Sequence, residues 1–285
     1  LLHAYARVQT RVCVYMRRAA HKTLRLVLDE PPPVADTARC DGRGDAELRR
    51  LLVRTGVLPK ASGSAYVEMG ETKVLCAIFG PQQADGHDFL SHGRLECTVK
   101  FSAFARRTTD PAAATTDASA TAALSASLSA ALSGSVQLDQ YPKSLICVHA
   151  MVLQDGGGAL PALVSCGSAA LAHARLKLYG LVAACGAAIP DEGSGRVLLD
   201  PSASEERAAS SRLVAATVPE LSHLPLLEQE GRAQFEAVAA ALRHALGGAA
   251  TVHERMREAL LAEGQTASSA RKRSRGGGGA VDAAA

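Results

Sequence analysis

The chain has 285 residues, 47% of them hydrophobic and 21% charged, which is enough to bury a substantial core as one large domain with tails. Its net charge of +3 is unevenly placed: residues 1–28 carry six Lys or Arg and no acid, residues 265–285 carry four against Asp282, and the stretch between is left at −6. An acidic body excludes a broad nucleic-acid-binding face, because nonspecific affinity for phosphates comes from clustered Lys and Arg displacing counterions.

Residues 1–35 form an Arg-rich N-terminal extension whose acid-free start has the composition of a mitochondrial targeting segment. Pro31-Pro-Pro33 interrupts any helix and marks the approach to the folded body, expected over residues 36–264. The first elements of that body are two strand-like runs, 64–69 and 73–79, joined by a turn at Gly70-Glu-Thr72 and closed by Gly80-Pro81. A strand follows over 95–105, after the loop 82–93. In the next segment Leu124, Leu128 and Leu132 recur every fourth residue, which predicts a helix over about 110–134 that buries one narrow stripe. The uncharged stretch 118–138 is too rich in Ala, Ser, Thr and Gly to cross a bilayer.

After a turn at Tyr141-Pro142, residues 144–153 read as an apolar strand ending at Gln154-Asp-Gly-Gly-Gly158, and 161–178 as an Ala/Leu helix with Pro161 in its first turn. Strand-like runs recur at 181–189, 197–199, 213–218 and 221–227, and a final helix spans about 232–261. Helices and strands alternate in groups, so the fold class is α+β with mixed sheets and packed helices. Residues 265–285 read as a disordered basic, Gly-rich tail, in which Arg271, Lys272, Arg273 and Arg275 make a candidate nuclear-localisation signal.

The seven cysteines are scattered through apolar runs with no CxxC or Cys/His spacing, which predicts buried, reduced side chains. The nine histidines are isolated, so neither a metal site nor a cofactor is expected. Gly156-Gly-Gly158 before a helix has the look of a phosphate loop, yet no Lys-Ser/Thr follows it.

Several separated motifs carry a family resemblance. Arg39-Cys-Asp-Gly-Arg43, Glu47-Leu-Arg49 and the hairpin opening at Leu58-Pro-Lys-Ala-Ser-Gly63 resemble the start of the RNase PH family, the phosphate-dependent 3′ exoribonucleases and their relatives in the RNA exosome. Tyr141-Pro-Lys-Ser144, Val152-Leu-Gln-Asp-Gly-Gly157 and Leu198-Leu-Asp-Pro-Ser-Ala-Ser-Glu-Glu206 are similar to later family segments, in the right order. The details at 80–86, 158–159 and 198–207 most resemble the eukaryotic exosome ring subunits of the mRNA transport regulator branch. The resemblance implies a βαβα domain of the ribosomal-protein-S5 domain 2 type. It also implies a six-subunit ring of RNase PH-like partners, S1/KH-domain cap subunits, RNA threading the ring, and a place in the nucleus, nucleolus and cytoplasm.

Phosphorolysis uses inorganic phosphate as the nucleophile, so it needs a hydroxyl and cationic cradle for that anion and a carboxylate to assist proton transfer or hold a metal. The resemblance places the cradle at Gly158 and Ala159, where active relatives have Thr or Ser and then Arg, so the guanidinium that would hold phosphate by two parallel hydrogen bonds is missing. Asp200 matches the first family aspartate, while the second is Glu206, one methylene longer. The four positions read as vestigial, with the two carboxylates expected to be solvated or capping. Residues 117–132 contain no arginine, leaving Lys100, Arg106 and Arg107 as the candidate RNA contacts. The expected role is therefore a non-catalytic structural subunit supporting 3′-to-5′ RNA processing and degradation; the alternative is an active phosphate-dependent exoribonuclease.

Overall fold

The computed structural model describes residues 39, 41–83, 92–105, 113–191 and 195–276. Nine strands, β1 to β9, and four α-helices, α1 to α4, are found among them, in two sheets. The mixed α+β expectation holds. The first sheet has the order β1-β2-β3-β5-β4, built from β1 (Leu51–Thr55), β2 (Gly63–Met69), β3 (Thr72–Gln83), β4 (Arg94–Phe101) and β5 (Ser144–Gln154). Neighbours are antiparallel except β4 and β5, which run parallel and are joined through helix α1 (Ala113–Ser133), the long crossover that a parallel pair requires. Alternate residues on these strands point into the core: Ala65, Val67 and Met69 from β2, Val74, Cys76 and Ile78 from β3, and Ile146, Val148, Ala150 and Val152 from β5.

Helix α2 (Ala159–His173) lies against that inner face and is buried along its whole middle, from Leu160 to Leu171. It can be apolar on every side because the second sheet covers it from behind. Leu128 and Leu132 of α1 are fully buried beside it, as their spacing predicts, and Leu124 packs at the edge of the same cluster. A Cβ on Gly167 would come within 2.8 Å of Leu132 Cδ1, so this glycine sets how closely α1 and α2 approach.

The second sheet has the order β7-β6-β8-β9, with β6 (Ala183–Ile189), β7 (Leu198–Leu199), β8 (Ser211–Val218) and β9 (His223–Gly231), all antiparallel. Every residue of β6 is buried, because α2 covers one face and helix α4 (Phe235–Gly276) the other. That second interface is lined by Ala187 and Ala215 against Ala237, Ala241 and Ala245, whose small side chains let helix and sheet approach closely.

Several boundaries differ from the sequence reading. The first hairpin has a two-residue turn, since Thr72 pairs with Met69. Gly80-Pro81 does not end β3; it sits in a register irregularity, after which Gln82 and Gln83 pair with β5 again. The strand expected over 95–105 stops at Phe101, and α2 begins at Ala159 and ends at His173, two turns' worth of displacement shared between its ends. Strand β1 and the short helix α3 (Ala203–Ala208) were not expected. The last helix does not stop near 261: α4 continues to Gly276, so the basic run 271–275 lies on helical backbone. The physical reason is that residues 265–275 hold no proline and several good helix formers. Cys76, Cys97, Cys147, Cys166 and Cys185 are unpaired, and three of them are buried. Among the described residues no helix is long and apolar enough to cross a membrane.

Candidate functional site

Three pieces of chain meet at one corner. They are the segment before β1, the glycine turn 155–158 between β5 and α2, and the corner where β7 passes into α3. The glycines of the turn allow approach at backbone distance: a Cβ on Gly156 would lie 2.6 Å from Glu71, and one on Gly157 2.4 Å from the Ala203 nitrogen. Gly158 caps α2 in the left-handed region, with φ of 65°. Thr72 closes the turn from the side, its hydroxyl donating to the Gly157 carbonyl and accepting from the Gly156 N–H.

Asp200 is the centre of this corner and is 1% exposed. The Arg49 guanidinium grips it from both sides, Nε donating to Oδ2 at 3.0 Å and Nη2 to Oδ1 at 2.6 Å, while the Arg49 backbone N–H donates to Oδ2 at 2.9 Å. The same guanidinium donates to the carbonyls of Gly156 and Gly157, so it ties the acid to the glycine turn. A side chain on Gly158 would begin 2.6 Å from Arg49 Nη2: the arginine fills the space that a residue at 158 would use. Asp200 itself has φ of 49°, a left-handed conformation costing a non-glycine residue about 1–2 kcal/mol. Its backbone bonds offset that cost, for its N–H donates to Gly186 and its carbonyl accepts from Arg39 at 3.2 Å.

A second clasp lies beside the first. Arg39 donates through Nε and Nη2 to the two oxygens of Glu205, and through Nη1 to the Leu199 carbonyl at 2.7 Å. Glu205 also closes the start of α3 by accepting from the Ser202 N–H, a capping box. Burial pushes the Glu205 carboxyl up, but Arg39 and the Ser202 N–H overcome it and hold it down at about 2. A third bidentate pair, Arg196 with Asp45 at 2.7 Å through each nitrogen, fixes the segment before β1 against the approach to β7.

Glu206 behaves differently. Its Oε1 accepts from the Gly158 N–H at 2.9 Å, placing a carboxylate at the N-terminus of α2, and burial pushes its pKa up. Beside it is a groove of about 360 Å³ lined by Glu206, Arg207, Ser210, Ser211, Arg212 and Glu230. Arg212 is paired with Glu230 across that groove at 2.8 Å.

The structure thus brings Gly158, Ala159, Asp200 and Glu206 together at one corner, as the family motifs imply. The expectation of solvated carboxylates is corrected for Asp200: a residue carrying a buried arginine on both oxygens needs no water. The capping half of that expectation holds for Glu206. Lys100 is exposed near the end of β4, paired with Met151 of β5, and among the described residues makes no hydrogen bond or ion pair with the glycine turn, while Arg106 and Arg107 lie outside the described residues. The residues that sequence reading missed are Arg39, Arg49, Thr72 and Glu205. Arg39 and Arg49 stood inside the quoted motifs without a role, and Ser202-x-x-Glu205 is the capping-box signature that reveals α3.

A family model described as the 3′ exoribonuclease family, domain 1, matches residues 47–177. The human exosome complex component MTR3 is 32% identical over 260 residues, covering 85% of this chain and 94% of the human protein. An Arabidopsis thaliana protein, exosome complex component RRP41-like, is 32% identical over 226 residues, covering 79% of this chain and 85% of its own. The crystal structure of rice Rrp46 superposes with a TM-score of 0.67 at 22% identity, covering 78% of this chain and all of the rice chain, a likeness of fold. With motifs, fold and relatives in agreement over most of its length, the chain belongs to the RNase PH-like exosome subunits of the 3′ exoribonuclease family.

Proposed function

We propose that this chain is a non-catalytic structural subunit of an exosome ring, working beside other RNase PH-like subunits and S1/KH-domain caps while RNA passes through to be processed and degraded. The observation that carries the reading is the Arg49–Asp200 clasp. At the position where the resemblance sets the phosphate cradle, Gly158 and Ala159 offer neither hydroxyl nor guanidinium. The nearest cation, Arg49, already spends its donors on Asp200 and the glycine carbonyls. An incoming phosphate would have to compete with a buried bidentate pair, and an attacking group would find the acid already neutralised. The human relative is a component of the exosome complex, which supports membership of such a ring. Residence in nucleus, nucleolus and cytoplasm, with the basic run 271–275 as the address, belongs to the same proposal.

The test is an assay of the purified chain with single-stranded RNA and inorganic phosphate, read as release of nucleoside diphosphates. The reading predicts none. Release that is lost in Asp200→Ala would establish the alternative, an active phosphate-dependent exoribonuclease.

A further inference from the structure

We infer that the outer face of the five-stranded sheet is where this chain seats a neighbouring RNase PH-like subunit; the inference rests on the ring membership proposed above. The helices pack on the other side of that sheet or at its margins: α2 against β2, β3 and β5, α1 against β4, and α4 against β1. The outward positions of β3, between β2 and β5, run Lys73, Leu75, Ala77 and Phe79, and those of β5 include Cys147, His149 and Met151. Met151 is 41% and Phe79 36% exposed, and the Phe79 and His149 rings meet edge to face at 5.6 Å. Between Lys73 and Gln83 on β3, and between Ser144 and Gln154 on β5, there is no Asp, Glu, Lys or Arg.

Charge returns at the margins of this centre, as Lys73 near the start of β3 paired with Glu68 of β2 on one side and as exposed Glu96 and Lys100 of β4 on the other. An uncharged centre with aromatic side chains inside a charged rim is the composition of a protein–protein interface. The two uncharged strands at ~4.8 Å spacing and about nine residues at ~3.3 Å give a plan area of roughly 290 Å², and the five strands of the sheet together roughly 700 Å². A stable complex buries about 800 Å² on each partner, so the centre and its charged rim together approach the size of a subunit interface. Residues 1–28 of the chain itself are the wrong occupant chemically, since six basic side chains would have to be buried on an uncharged surface. The partner that fits is another folded subunit presenting an apolar sheet or helix face.

The experiment co-expresses the full chain with the RNase PH-like subunits of an exosome ring and measures recovered complex by size exclusion. Wild type and Leu261→Lys, an exposed apolar position on α4, should assemble equally. Met151→Lys and Phe79→Lys should each lower recovery at least tenfold while the melting temperature of the chain alone stays unchanged. If wild type assembles and both lysine variants assemble as well as it does, the face is not the seat, though ring membership stands. If wild type joins none of those subunits, ring membership and this inference fail together. A homodimer of the chain broken by Met151→Lys, or a loss of melting temperature on deleting residues 1–38 that Met151→Lys reproduces, would assign the face to a second copy or to the chain's own start and overturn the proposal.

Discussion

At the corner where β7 turns into α3, four charged side chains, Arg39 and Asp200 buried and Arg49 and Glu205 partly so, neutralise one another, Arg49 with Asp200 and Arg39 with Glu205. On the outer face of the first sheet the opposite holds: β3 beyond Lys73 and the whole of β5 carry no formal charge, and no described element covers their apolar side chains. Charge has been drawn inward where the family resemblance sets a phosphate, and apolar surface has been left outward where a soluble monomer would place polar groups. The difference teaches that an ion pair within the chain can fill the space beside the position where the resemblance sets a phosphate. A face that remains unfilled calls for something outside the chain.

Removing one half of the first clasp is the largest expected disturbance. Arg49→Ala leaves the Asp200 carboxylate buried and unpaired, and should cost about 3–5 kcal/mol in urea unfolding. If the cost is under ~1 kcal/mol, Asp200 is hydrated and the contrast between the two regions collapses. Next comes Glu205→Gln, which loses charge-assisted bonds to Arg39 and should cost about 1.5–3 kcal/mol at neutral pH. The sign with pH follows from a carboxyl held down at about 2 against an ordinary 4.5. Its stabilisation is fully present above pH 4.5 and fades as pH falls toward 2, so wild type should lose its advantage over the Gln variant across that window.

Gly158→Ala should cost about 1–2 kcal/mol, because the left-handed backbone disfavours a Cβ and the new methyl group displaces the Arg49 guanidinium. Glu206→Gln should be the mildest. Burial raises the Glu206 pKa, so wild type loses stability as pH rises through that raised value, while a neutral amide still accepts from the Gly158 N–H. The variant should match wild type in acid and equal or slightly exceed it, by up to about 1 kcal/mol, at neutral pH. Thermal melts from pH 3 to 8 check both glutamates.

The central elements could be read from the sequence because their signals are local. Alternation in β2 and β3, the four-residue spacing of Leu124, Leu128 and Leu132, and Pro161 at the head of an Ala/Leu run each report a period or a helix start within one element. Strand β1 was missed because Leu51–Thr55 is short and follows a charged segment, so it earns its place only by pairing with β2. The clasps escaped for a related reason: Arg49 meets Asp200 across 151 positions and Arg39 meets Glu205 across 166, separations that no local pattern reports. What the motifs did disclose was which side chains were missing at 158 and 159. The arginine that occupies the space instead could be found only in three dimensions.

The claim at the centre of this account is that the family's phosphate position is already occupied by the protein itself. Melting the purified chain in rising inorganic phosphate, against sulfate at matched ionic strength, tests it directly, because a ligand that binds only the folded state raises the melting temperature in a saturable way. The account predicts phosphate and sulfate curves that coincide. A saturable rise specific to phosphate, abolished in Arg49→Ala, would contradict it.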